Sequence, residues 1–327
     1  MKAAIAGATG LVGREMLSVL QESNLSISSL KLFASENSRG ETLGFRGSTL
    51  PVEIIKKSSL EKGMIILGAT SSDTARLWVP IALEAGATVI DNSSAYRMND
   101  DVPLVVPQVN PDAISNEHRL IANPNCSTIQ LVMALAPLRQ LAEIAWVSVS
   151  TYQSVSGAGR EGIELLKEQE DTGPVPGGFH RNVVCEIGDP GPTGYTEEEL
   201  KLVNETVKIL GCHFQVFPAC ARVPVAVGHT ESVTVSFKSP VSSQQALEAL
   251  SQFPGVVTVP RGPQPLEVEG TSRTFVGRVR NHPAEANILQ FWVTADNVRK
   301  GAALNAVEIL ELIMTKKGPG DPGPSTG

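Results

Sequence analysis

The sequence has no cationic excess, no cysteines at metal-ligand spacing and no long apolar run, and each lack argues against a class of function. Lysine and arginine number 27 against 34 acidic residues, a formal net charge of -7. Without a basic footprint, nucleic acid is not expected as the main partner. The four cysteines, Cys126, Cys185, Cys212 and Cys220, form no CxxC pair and join no histidine cluster, so no metal site is expected. Thiols of this kind fit a reducing, cytoplasmic compartment. No apolar stretch reaches the roughly 18 residues of a membrane helix. The best candidate, Ile129 to Val149, is interrupted by Pro137, Arg139 and Glu143. The opening MKAAIAGATGLVG resembles a short leader, but its apolar part is brief and broken by glycines, and it reads better as a buried strand. No internal repeat is visible.

What is present is a two-part pattern, and 327 residues suffice for two domains. In the first part, short apolar runs alternate with amphipathic stretches. Strands are expected at Lys2–Gly7, Leu30–Ala34, Met64–Gly68, Ala87–Asp91, Leu104–Val106 and Arg119–Ala122, with helices after the first strand and around Asp73–Ala85. That alternation implies a doubly wound, mainly parallel Rossmann-type sheet in an α/β domain. After Cys126 the pattern changes. Longer alternating runs at Ala145–Gln153, Ser232–Lys238, Thr274–Val279 and Ile288–Val293, with helices near Arg160–Glu170 and Glu197–Leu210, imply an α+β domain with a largely antiparallel sheet. The expected division is a dinucleotide-binding domain over 1–125, completed by a C-terminal helix over 297–316, and a catalytic and dimerisation domain over 126–296. The Gly- and Pro-rich end, 317–327, is expected to be a disordered tail.

Gly7-Ala8-Thr9-Gly10-Leu11-Val12-Gly13 stands where the first strand turns into the first helix. Glycines there let backbone approach a pyrophosphate, and a helix start offers N–H donors. The GxxGxxG spacing is weak alone; its position makes it a dinucleotide loop. At the end of the second strand, Ser35, Ser38 and Arg39 suit the 2′-phosphate of NADP, while Glu36 suits the ribose of NAD. The balance is read as NADP, with Ser35, Asn37 and Ser38 as contacts.

Asn123-Pro124-Asn125-Cys126-Ser127-Thr128 precedes a long apolar helix. A thiol at a helix N-terminus is favoured as thiolate, and a thiolate attacks aldehydes and acyl phosphates. The other three cysteines read as inert. Among five histidines, His229 follows Arg222 across a short apolar loop, an arrangement that places a carboxylate clamp beside an acid/base group.

The stretches GATGLVG, DNSSAYRM, NPNCST, TYQSVSGAG, ARVPVAVGHTESV and ADNVRKGAA occur in that order along nearly the whole chain. Together they resemble aspartate-semialdehyde dehydrogenase. The resemblance implies NADP-dependent, reversible reduction of L-aspartyl 4-phosphate to L-aspartate 4-semialdehyde through a Cys126 thioester, on the route to lysine (with diaminopimelate), threonine and methionine. It implies that Gln153 orients the substrate, that His229 is the acid/base group, and that Arg222 and Glu198 hold the substrate's carboxylate and amino group. Arg97, Lys201 and Asn125 would bind phosphate. Gly7, Thr9, Gly10, Leu11, Val12, Gly13, Ser38, Ser156, Gly157 and Asn297 would contact the cofactor, and the enzyme would be a homodimer. The chain departs from the family where Asn37 precedes Ser38, a place that often holds Arg. The competing readings are N-acetyl-glutamyl-phosphate reductase, a catalytically silent nucleotide-binding paralogue, and a glyceraldehyde-3-phosphate-type dehydrogenase. The NPNCST and GHTESV stretches, with Gln153 and Arg222, favour the aspartyl enzyme.

Overall fold

Ala3, Ala4, Ile5 and Ala6 are buried, as a strand covered on both faces must be. In the computed structural model, which describes residues 1–317, they form β1 (Lys2–Ala6) at the centre of a sheet. The chain divides into two units, Met1–Pro124 with the segment from Ala302, and Asn125–Gly301.

The first unit continues with α1 (Leu11–Glu22), β2 (Ser29–Phe33), β3 (Thr42–Phe45), β4 (Ser48–Glu53), β5 (Ile65–Gly68), α2 (Ser72–Glu84), β6 (Thr88–Asp91) and β7 (Leu120–Ala122). The sheet order is β3-β4-β2-β1-β5-β6-β7. Every pairing is parallel except β3 with β4. This is the expected doubly wound sheet. Met16 and Leu20 of α1 pack with Ile5 and Leu32 in one core, and Ser71 caps α2 by accepting from Thr74 N.

The second unit holds α3 (Cys126–Leu138), β8 (Ile144–Gln153), α4 (Gly159–Thr172), α5 (Glu197–Leu210), β9 (Gln215–Arg222), β10 (His229–Phe237), α6 (Ser243–Gln252), β11 (Val256–Val259), the single turn α7 (Pro265–Val268), β12 (Thr274–Asn281) and β13 (Ile288–Ala295). Its six strands run β11-β12-β13-β10-β8-β9. The three inner pairings are antiparallel and the two outer ones parallel, so the sheet is largely antiparallel as expected. Helix α3 is buried from Ser127 to Leu138 and packs on α5, α6 and the sheet. A π-helical turn, Arg299–Ala303, precedes α8 (Leu304–Lys317). Ala303, Ala306, Val307, Leu310 and Ile313 join the core of the first unit.

Three local expectations need correction. Leu104–Val106 is no strand: Leu104 makes a single bridge to Ala122. Pro103 and Pro107 flank it, and neither can donate to a ladder. The last helix begins at Leu304 and not at Asn297, because Asp296 Oδ1 accepts the N–H groups of Val298 and Arg299 and the wider turn intervenes. Strand β9 went unanticipated because Pro218 stands in it; it is an edge strand, where proline is tolerated. The expected tail beyond Lys317 lies outside the described residues. Among the described residues, no helix is long and apolar enough to cross a membrane.

The glycine turn is sterically closed at Gly13. A Cβ there would collide with the Gly7 carbonyl and press on Ala8 Cα at 2.8 Å. Gly13→Ala is therefore expected to push α1 off the turn at a cost of about 1–3 kcal/mol. Differential scanning calorimetry should show a melting temperature lower by roughly 2–10 °C.

Candidate active site

The site of the second unit is built around the start of α3. Asn125 is its N-cap: Oδ1 accepts from Ser127 N at 2.9 Å and Thr128 N at 3.3 Å. Its Nδ2 donates to Glu198 Oε1 at 3.0 Å, and its backbone N–H donates to Glu205 Oε2 at 2.7 Å. Cys126 is consequently the first helical residue, partly exposed and at the positive end of the dipole. Sequence reasoning gave the sulfur the helix N–H donors; two of these are occupied by the Asn125 cap. The π-helical turn closes the other side. A Cβ on Gly301 would lie 2.9 Å from Cys126 Cβ and 3.3 Å from its Cα.

Glu198 is the hub of the charged groups. It takes Asn125 and Gln153 Nε2 (3.1 Å) on Oε1, and Lys201 Nζ (3.0 Å) on Oε2. Burial would raise its pKa, but the Lys201 charge and the three hydrogen bonds outweigh that and hold it at about 2. Gln153 Oε1 in turn accepts from Arg222 Nη1 at 3.2 Å, and the same nitrogen donates to Ser154 O at 2.9 Å. Among the described residues, Arg222 Nε and Nη2 have no hydrogen-bond partner. Burial lowers the Arg222 pKa, while the charges of Cys126, Glu198 and Cys220 act the other way, so it stays a cation within reach of the sulfur's field. An anionic carboxyl of a ligand would find its natural partner there.

His229 is fully buried. Its Nδ1 accepts from Ser154 N at 3.0 Å, and Nε2 has no partner. Burial first and the Arg222 charge second push its pKa down to about 3, so the ring is neutral at pH 7. Ser156 Oγ and Gly228 N both donate to Asn297 Oδ1. Gly157 sits in the same turn, its amide donating to Ser154 O and its Cα side against Arg222 and the imidazole.

In the first unit the structure brings together only part of the expected set. Ser38 Oγ donates to Thr9 Oγ1 at 3.1 Å, joining the end of β2 to the glycine turn. Gly7, Thr9, Gly10 and Ser35 line a cavity of about 300 Å³ with Thr70, Ser71 and Trp78. Gly13 is buried beneath the turn, Leu11 and Val12 begin α1 outside that cavity, and Asn37 is exposed beside it. Glycines with hydroxyl donors fit a dinucleotide phosphate. Arg97 is buried, donating from Nε to Asn123 O at 2.9 Å and from Nη2 to Asn92 O at 2.8 Å. Among the described residues no cluster of three His, Cys, Asp or Glu side chains could hold a metal.

Several participants escaped sequence reasoning. Ser154 and Thr151 flank Gln153 inside a motif already singled out, and Thr151 Oγ1 accepts from Gln153 Nε2 at 3.3 Å. Glu205 lies seven residues after Glu198 on the buried face of α5; a carboxylate interrupting that stripe was the available signal. Gln130 and Glu231, both fully buried, follow Cys126 by one helical turn and His229 by two strand residues. The Gln130 amide neighbours the Glu231 carboxyl without closing a hydrogen bond of good geometry.

Comparison with known proteins matches residues 2–117 to the family "Semialdehyde dehydrogenase, NAD binding domain" and residues 135–300 to "Semialdehyde dehydrogenase, dimerisation domain". The chain is 42% identical over 332 residues to the aspartate-semialdehyde dehydrogenase of Aquifex aeolicus, covering 96% of this chain and 98% of the relative. It is similar to the crystal structure of Vibrio cholerae aspartate semialdehyde dehydrogenase II complexed with ASA, at a TM-score of 0.91 and 41% identity over 95% and 97% of the two chains. The Candida albicans aspartate semialdehyde dehydrogenase with NADP aligns at a TM-score of 0.76 and 25% identity over 97% and 99%.

Two outcomes follow from the packing. Gly301→Ala is expected to displace Cys126 and slow its alkylation by iodoacetamide at least about tenfold, with a melting temperature lower by only a few degrees. Glu231 has its pKa raised well above 4.5, chiefly by burial. A raised pKa stabilises the fold below 4.5 and loses that contribution as pH climbs toward the folded value. Relative to Glu231→Gln, the native chain should therefore lose stability above pH 4.5, by up to about 1.4 kcal/mol per pH unit. Urea unfolding of both proteins from pH 4.5 to 8 measures the difference.

Proposed function

We infer the chemistry from one premise: the chain belongs to the aspartate-semialdehyde dehydrogenase family. It is an NADP-dependent, phosphorylating aldehyde dehydrogenase that reduces L-aspartyl 4-phosphate to L-aspartate 4-semialdehyde through a cysteine thioester, in the biosynthesis of lysine, threonine and methionine. The observation that carries the assignment of roles is the Asn125–Glu198–Gln153–Arg222 network set around the start of α3.

In this reading Cys126 is the nucleophile, and the α3 dipole and Arg222 favour its thiolate. Arg222 receives the substrate α-carboxylate on Nε and Nη2, the donors left open by its bond to Gln153. Glu198, held ionised, accepts from the substrate ammonium. Gln153, fixed at both ends of its amide, sets the acyl carbon against the sulfur. Lys201 and Arg97, with Asn125, would bind the phosphate that leaves, and His229 would be the acid/base group. Gly7, Thr9, Gly10, Gly13, Ser35 and Ser38, with Leu11, Val12 and Asn37 at the same turn and strand end, would hold NADP; Ser156, Gly157 and Asn297 support its nicotinamide end. The bound cofactor supplies the hydride.

A homodimer fits the open face of the second sheet. Trp146, Tyr152, Phe217 and Trp292 point away from the helix-covered side, with Tyr152 stacked on Trp292 at 5.8 Å and Trp146 edge-on to Phe217 at 6.4 Å. Such a half-exposed aromatic patch is the kind of surface a second copy covers. A cytoplasmic location accords with the thiol chemistry.

The test is oxidation of L-aspartate 4-semialdehyde in the presence of inorganic phosphate, with NADP and NAD compared. NADP reduction that requires phosphate is expected. Cys126→Ala should abolish turnover and leave NADP binding by calorimetry intact. Activity surviving in that variant, or activity confined to the N-acetylated glutamate semialdehyde, would overturn the reading.

A further inference from the structure

We propose that Asn305, on the first turn of α8, is a positioning residue for the phosphate step: through the amide of Asn123 it fixes the ends of β6 and β7 at the separation that aims Arg97. This rests on the thioester reading above, in which Arg97 binds the phosphate that leaves.

The first sign is a polar side chain where a helix in the core needs none. Ala303, Ala306, Val307 and Leu310 are buried in the first unit, and Asn305 among them is fully buried too. An amide in such a place is costly unless its groups are used. Its Nδ2 is used twice, donating to Val105 O at 2.9 Å and to Asn123 Oδ1 at 2.7 Å. Its Oδ1 has no hydrogen-bond partner among the described residues, so the helix carries an orphaned acceptor along with the two donated bonds. Satisfying the buried Val105 carbonyl accounts for one of them. The bond to Asn123 calls for a second reason.

Main-chain carbonyls settle how these amides are turned. A carbonyl only accepts, so the Asn305 atom facing Val105 O is Nδ2. The same holds for Asn123, whose Nδ2 donates to Ala302 O at 3.3 Å and also to Asn92 Oδ1. Asn123 Oδ1 is thereby left to Asn305. One directed chain of amides runs from Asn305 through Asn123 to Asn92, all within the first unit.

That chain ends where Arg97 is held. Asn92 directly follows β6 and Asn123 directly follows β7, and the two strands are parallel neighbours in register at Asp91 and Ala122. Asn123 N donates to Asp91 O at 2.8 Å and keeps the two ends together along the main chain. Arg97 spans them: Nε donates to Asn123 O at 2.9 Å and Nη2 to Asn92 O at 2.8 Å, with the side chain buried. A guanidinium is a rigid planar fork, so bonds to two fixed carbonyls set both its plane and its direction. These two acceptors are neutral and leave its charge intact for an anion. The aim of the cation therefore depends on where the two carbonyls stand, and the amides of Asn92, Asn123 and Asn305 hold them there. A misplacement of about 1 Å in such a group is enough to weaken what it binds. Asn305 itself touches no ligand in this account and acts only through Arg97.

The test is oxidation of L-aspartate 4-semialdehyde by Asn305→Ala, with inorganic phosphate, semialdehyde and NADP varied in turn. The KM for phosphate is expected to rise about tenfold, while the other two KM values stay within about twofold and kcat at saturating phosphate within about threefold. An unchanged phosphate KM, or all three KM values rising together as general loosening would produce, overturns the proposal. Asn305→Ser keeps one donor; it should raise the phosphate KM by only about threefold, and it carries the same test if the alanine chain fails to fold. The route through Arg97 is tested by a double-mutant cycle. Lysine cannot bond both carbonyls, so in an Arg97→Lys background Asn305→Ala should change phosphate affinity by less than about twofold. The full loss reappearing in that background would deny the route. Affinity in the cycle is read from the rise in melting temperature of the NADP-bound chain on adding inorganic phosphate, which needs no turnover. Failure of the thioester reading would show separately, as no phosphate-dependent turnover in the native protein.

Discussion

One hydrogen bond, from the backbone N–H of Asn125 to the buried carboxylate of Glu205, ties the reactive end of α3 to α5. A carboxylate accepting a backbone N–H at a helix start is a strong, charge-assisted contact. Asn125 is at once the cap of the thiol's helix and a donor to Glu198, so the bond also fixes the carboxylate hub. From that hub Gln153 and then Arg222 take their positions. The proposed nucleophile and the groups proposed to receive the substrate are therefore placed by one chain of side chains at the start of α3 and on α5, β8 and β9. None of them rests on a flexible loop, which is what close positioning of reacting groups demands.

The architecture was legible in the sequence because its signals are periodic. Buried parallel strands read as continuous apolar runs, and the antiparallel sheet read as alternation. What escaped was where chemistry overrode period. Pro218 disguised β9, and Pro103 and Pro107 reduced an apolar run to a single bridge. Asp296 redirected the chain into a π-helical turn before the last helix. Cys126, His229, Gln153, Arg222, Glu198 and Asn125 were found through motifs, and the structure gathers them in one unit. The residues behind them were not found, since a hydrogen bond between Ser154 N and a ring nitrogen 75 residues away leaves no local trace.

The two buried acids show how much the environment decides. Glu198 and Glu231 are the same residue type in the same unit, and both are nearly or fully buried. Glu198 has a lysine, an asparagine and a glutamine directed at it and remains ionised at about 2. Glu231 has only the weak company of Gln130, and burial keeps it protonated. Environments that drive like groups apart in this way assign different tasks to them. In the proposed roles the ionised acid would receive the substrate ammonium. The neutral one lies one turn below the sulfur on the α3 side and two residues from the imidazole on the strand side.

That distribution bears on the thiolate. The cluster around Cys126 contains the carboxylates of Glu198, paired with Lys201, and Glu205, bound to Asn125 N–H, together with the cation Arg222, whose remaining donors are open. Were Glu231 ionised, its charge would oppose the sulfur's and favour an imidazolium at His229, so the thiolate would lose support while the ring gained a proton. A neutral Glu231 avoids both. No further negative charge is then added beside the open donors of Arg222, in a chain whose formal charge is negative. The proposed thiolate, leaving phosphate and tetrahedral oxygen are all anionic, and each would be opposed by a further buried negative charge, so the raised pKa of Glu231 works in the same sense as the open donors of Arg222.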